Sequence, residues 1–141
     1  MNEYYKSDEE IRSLVSKFEA CSLQPSEFRH QQHLAVVLWY VAKLPYPDAS
    51  ERMKRGIQHL ATSFGKTAYH ETITEFWLRM VRGFLPEGEH AESIAGLANQ
   101  LIEKCANKNL ILDHYSPELL ASPEAKANWI EPDLKPLPIS G

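Results

Sequence analysis

The chain has 141 residues, 43% of them hydrophobic and 24% charged, with a net charge of −4. That size and balance fit one soluble globular domain with a real core, 1–141, in which about 1–6 and 135–141 are expected as peripheral tails. There is no basic field for a phosphate backbone and no run near the roughly 18 apolar residues of a membrane span, so neither nucleic acid nor membrane is expected as a partner. Cys21 and Cys105 are far apart and form no C-x-x-C pattern, which argues against a disulfide scaffold or a thiolate zinc site. The first residues contain no apolar signal core, and cytoplasm is the expected compartment.

Ser7-Asp8-Glu9-Glu10 is a capping-box sequence. Ile11, Leu14, Val15 and Phe18 follow at helical spacing, predicting a first helix over about 7–21 that Ser22-Leu23-Gln24-Pro25 ends. A second helix starts near Pro25-Ser26 or at Arg29 and runs to about Leu44. Its stripe is His30, His33, Leu34, Val37, Val41 and Leu44, widened by Leu38, Trp39 and Tyr40, so it belongs at the centre of a bundle. Pro45-Tyr46-Pro47 stops it, and Pro47 suits the first turn of a third helix carrying Met53, Ile57, Leu60, Ala61 and Phe64 inward. Arg52, Lys54 and Arg55 are expected in solvent, and Gly65 as a left-handed cap.

A fourth helix begins around Tyr69 or His70, with His70, Ile73, Trp77, Met80 and Phe84 on one stripe and Glu71, Glu75, Arg79 and Arg82 on its flanks. Pro86-Glu87-Gly88 breaks it. A fifth follows over about 89–106, then a short apolar segment, Leu110-Ile111-Leu112, that is strand or irregular. Two short helices start at Pro117 and at Ser122-Pro123, and a proline-rich tail is extended, pinned by Trp129 and Ile130. The fold class is all-α: a single-domain bundle of about five helices with short C-terminal helices and that extended tail.

Short connections make helices 2, 3 and 4 antiparallel neighbours, which places the N-terminal ends of helices 2 and 4 together. His30, His33 and His70 are then expected to converge as ligands of one divalent metal, Zn, Ni or Fe, since a helix N-terminus favours neutral imidazole. Glu71 and Glu75 are the candidate proton carriers; Glu27 is a further possible carboxylate. Tyr69, Thr74, Trp77 and Trp39 are the candidate ligand-binding residues, and Thr72 offers another hydroxyl. Set against this, any one of these histidines taken alone reads more readily as a structural residue bonded to a backbone carbonyl or carboxylate. His59 and His90 receive no role, and His114 with Tyr115 is placed to close over the pocket.

Phe28-x-His30-x-x-His33-Leu34, Tyr69-His70-Glu71-Thr72-Ile73-Thr74 with Trp77, Tyr115-Ser116 and Trp129-Ile130-Glu131-Pro132-Asp133-Leu134 together resemble a family of small bacterial all-helical proteins, over about residues 28–138. The resemblance implies a helical fold and brings no reaction, substrate or cofactor. In general plan the chain is also similar to the DinB-like bundles, which gather three histidines around a divalent metal, although the histidine spacing differs. Three functions compete: a divalent-metal-dependent enzyme acting on a small molecule, a metal-free small-molecule binding protein, and an interaction module with structural histidines.

Overall fold

In a computed structural model, which describes residues 4–65, 69–85 and 93–137, the chain forms seven α-helices and two 3-10 turns, with no strand among the described residues. The helices are α1 (Asp8–Glu19), α2 (His30–Lys43), α3 (Tyr46–Ser63), α4 (Glu71–Phe84), α5 (Ile94–Lys104), α6 (Pro117–Leu120) and α7 (Pro123–Ala127). The all-α class is as the periodicity predicts. No described helix is long and apolar enough to cross a membrane.

The centre is α2, which packs on α1, α3, α4 and α5. Its run Leu34-Ala35-Val36-Val37-Leu38 is wholly buried, because a helix with neighbours on every side needs apolar residues around its whole circumference. Each such Leu or Val removed from water contributes roughly 1.5–3 kcal/mol before entropy is counted. One close approach depends on a missing side chain: a Cβ built at Gly56 of α3 would collide with the Phe18 ring of α1.

Helix ends follow local chemistry. At α1 the expected capping box is not made: Ser7 makes no side-chain cap, and Glu10 accepts instead from the amide of Lys6, the residue before the N-cap, at 3.0 Å. Its C-terminus closes with Ser22 N–H on the Lys17 carbonyl and Cys21 N–H on the Phe18 carbonyl, the paired bonds of a Schellman turn. That turn puts Cys21 at φ 56°, a left-handed position that glycine usually fills, as Gly65 does after α3 at φ 75°. Ser93, Ser116 and Ser122 cap α5, α6 and α7 through their hydroxyls. The segment around Leu110-Ile111-Leu112 is a 3-10 turn, Lys108–Asp113, neither strand nor irregular.

Three placements differ from the sequence reading. Tyr4 and Tyr5, expected in a peripheral tail, donate their amides to Asn99 Oδ1, and Asn99 returns a bond to the Tyr5 carbonyl. Lys54, expected in solvent, lies half-buried between α3 and α4. On α4 the most buried positions are Thr72, Thr74-Glu75-Phe76-Trp77-Leu78 and Val81, a face rotated from the predicted stripe, with Ile73, Met80 and Phe84 only half-buried. The breaker at 86–88, the start of helix 5 and His90 lie outside the described residues.

After α7 the chain runs extended across α4 and is held there by polar side chains. Thr72 Oγ donates to the Asn128 carbonyl at 2.7 Å and accepts from the Ile130 amide at 3.3 Å. Tyr115 donates to the Ile130 carbonyl at 2.6 Å, and Asp133 accepts from the Ser116 amide at 2.8 Å. The buried ring of His114 donates from Nδ1 to the Lys135 carbonyl at 3.0 Å. His114 and Tyr115 thus fasten this strap and do not close a pocket.

Candidate functional site

The first residue of α2, His30, points across the bundle. Its Nε2–H donates to the Cys105 carbonyl at 2.8 Å, at the C-terminus of α5. A carbonyl only accepts, so Nε2 carries a proton in this bond. One ring edge meets Trp77 of α4, with centroids 4.8 Å apart. His33, one turn on, sits edge-to-face with Phe28 at 5.9 Å.

These side chains line an open groove of about 440 Å³, bounded by Phe28, His30, His33, Ile73, Trp77 and Leu112. Its walls are predominantly apolar, and their polar groups are the two imidazoles, Arg29 and Asn109. Among the described residues the His33 ring makes no hydrogen bond. Burial first, then the nearby His30, pulls its pKa from 6.5 down to about 4, so it is neutral at pH 7. A neutral imidazole both donates and accepts, and here neither nitrogen is spent on the protein.

The third predicted histidine goes elsewhere. His70 is the N-cap of α4: its Nδ1 accepts from the Ile73 amide at 3.1 Å, and its Nε2–H donates to the Leu120 carbonyl at 2.7 Å. Both ring nitrogens are engaged, so His70 fastens α6 to α4 and offers no lone pair to an ion. Among the described residues, no group of three or more His, Cys, Asp or Glu side chains is placed to hold a metal ion. The expected donor set of His30, His33 and His70 is therefore not gathered in this arrangement.

Glu71 and Glu75 form a separate polar cluster with α3. Lys54 Nζ lies 2.6 Å from Glu71 and 2.7 Å from Glu75. Tyr46 donates to Glu75 at 2.6 Å, Arg79 Nε donates to Glu75 at 3.0 Å, and Tyr69 donates to Glu71 at 2.9 Å. Burial alone would raise Glu75, which is 5% exposed, but Lys54, Tyr46 and Arg79 outweigh it and hold the carboxyl below its usual range. Burial likewise opposes the charge on Lys54, and bonds to Glu71 and Glu75 reverse that and raise its pKa. Together these groups form an ion-paired clamp between α3 and α4.

Of the other candidates, Thr74 is buried and bonds back to the His70 carbonyl at 2.9 Å. Trp39 lies away from the groove, under Lys43 at 4.8 Å and Arg12 at 5.9 Å. Trp77 alone of the predicted ligand-binding set lines the groove with His30 and His33. Phe28 and Ile73 complete that wall; their adjacency to the histidines in sequence was the available signal. Glu27, the further carboxylate weighed from sequence, accepts from the Gln24 amide at 2.9 Å in the turn before α2.

Compared with known proteins, the chain matches no family model, no curated protein and no solved structure.

Proposed function

We propose that the chain is a metal-free small-molecule binding protein whose ligand lies in the His30–His33–Trp77 groove. The observation that carries this reading is His33: a neutral imidazole, lining an apolar groove, with no hydrogen bond to the described protein. The groove is open, so water meets that imidazole edge in the free protein, and a ligand bearing one O–H or N–H takes the water's place on binding. Trp77, Phe28 and Ile73 offer flat and aliphatic surface, so the ligand class is a small aromatic with a single hydrogen-bonding edge. His30 is held by Cys105 and Trp77 and sets the wall against which that ring lies.

Titration calorimetry with indole, phenol and benzimidazole tests the proposal. Binding of at least one is expected, weakened about tenfold by His33→Phe, which keeps the apolar surface and deletes the hydrogen-bonding edge. Binding unaffected by that substitution would remove His33 from the account. The metal-dependent reading has its own check, elemental analysis of protein purified without an affinity tag. About one equivalent of Zn, Ni or Fe, lost in His30→Ala and His33→Ala proteins, would replace the present proposal with a metal site.

A further inference from the structure

A second cavity, of about 450 Å³, lies between α4 and the C-terminal strap, on residues that the groove does not use. Arg79 and Arg82 form its helical wall; Glu131, Asp133 and Lys135 form the wall contributed by the strap.

Both guanidinium groups are held in place by aromatic faces. Arg79 stacks over Trp129, 4.2 Å from the ring centroid, while its Nε bonds to Glu75. Arg82 stacks over Tyr46, also at 4.2 Å, and among the described residues no carboxylate pairs with it. Stacking fixes the plane of each fork and lowers the entropy lost when it grips an oxyanion. The opposite wall is also partly committed. Glu131 accepts from the Trp129 indole N–H through Oε1 at 3.1 Å, leaving its other oxygen free of that bond, and Asp133 accepts from the Ser116 amide through Oδ1 and also from the Ser116 side chain.

Charges of both signs therefore line one cavity. A simple anion would enjoy Arg79, Arg82 and Lys135 but meet two carboxylates, and a simple cation would meet the reverse. A single molecule carrying both signs satisfies both walls. We propose that this cavity binds a zwitterionic small molecule of the amino-acid type, with its carboxylate on Arg79 and Arg82 and its ammonium on Glu131 and Asp133. The volume lies within the range of small-molecule sites and leaves room for a side chain beyond the two charged groups. Since one wall is the strap, an occupant also bridges the strap to α4 and tightens its attachment.

Calorimetric titration of the full chain with the common free amino acids, their N-acetyl derivatives and their amides tests this. At least one free amino acid is expected to bind with a Kd of about 1 mM or tighter. Acetylation, which removes the ammonium, and amidation, which removes the carboxylate, should each weaken it about tenfold or more. Arg82→Gln should have the same effect with only a small drop in urea midpoint, because Arg82 is exposed and loses only its stack on Tyr46. Hydrogen exchange of the Leu134 amide, bonded to the His114 carbonyl at 2.9 Å, should slow on binding. The proposal is overturned if no free amino acid binds below about 10 mM. It is equally overturned if acetate or inorganic phosphate binds as tightly as the best amino acid, or if binding survives Arg82→Gln unchanged.

Discussion

His30 and Trp77 meet edge-on with their ring centroids 4.8 Å apart, and this contact sets α2 against α4. Trp77 is seven residues beyond His70, about 10 Å along a helix axis at 1.5 Å per residue. The start of α2 therefore faces the second turn of α4, and His70, at the very start of α4, turns to α6. Two histidines share a groove; the third serves as a cap.

His70 combines two roles that substitution separates. His70→Ala removes the cap and the Leu120 tie together and should cost about 2 kcal/mol. Asparagine is a good N-cap, so His70→Asn should lose only the tie and cost about half as much. Urea denaturation of the two variants measures the difference.

Lys54 holds two carboxylates between α3 and α4, and Glu75 is nearly out of solvent. Lys54→Met leaves Glu71 and Glu75 facing each other without their shared cation. The cost should be about 2 kcal/mol, below the 3–5 kcal/mol of a fully buried pair because Lys54 and Glu71 keep some contact with water. Adding Glu71→Gln to Lys54→Met should recover part of that loss, and a thermal unfolding comparison of the single and double variants reads it.

Two backbone positions predict opposite signs. Cys21→Gly relieves a left-handed residue in the Schellman turn and should stabilise by about 0.5–1 kcal/mol. Gly56→Ala drives a methyl group into the Phe18 ring and should destabilise by about 1–3 kcal/mol. Urea midpoints of the two proteins check both.

Acid should weaken the fold in two stages. In the unfolded chain His33 titrates near pH 6.5, whereas in the fold burial and then His30 hold it down to about 4. Between those values the unfolded state binds a proton that the folded state refuses. Stability is therefore complete above about pH 6.5, falls by up to about 1.4 kcal/mol per pH unit towards pH 4, and levels off below. Glu75 is held low in the fold by Lys54, Tyr46 and Arg79 despite its burial, so its contribution is present above the ordinary carboxylate range and lost at lower pH. His33→Phe should flatten the first stage and leave the second. Urea midpoints from pH 7.5 down to about pH 2 distinguish them.

Helix existence was legible in the sequence because the apolar repeat, the prolines and the serine caps all point the same way. The predicted order Ile11, Val15, Phe18 and the Ser122-Pro123 start stand as read. What periodicity does not carry is rotation and register. A stripe on α4 places Glu75 on a flank, yet Lys54, Tyr46 and Arg79 compensate its charge and let it sit in the interface. Likewise, antiparallel helices bring two N-terminal ends to one side of a bundle without fixing which turn meets which. The fate of His70 depended on Leu120, a residue 50 positions away whose carbonyl no spacing rule announces.

The most direct test of the groove is the imidazole ¹H–¹⁵N spectrum of His33, recorded at pH 7 while indole is added. The account predicts a neutral ring whose signals move with added indole, together with those of Trp77, and a loss of that response in Trp77→Ala. A His33 ring that is protonated at pH 7, or that stays unmoved by indole, phenol and benzimidazole alike, would contradict it.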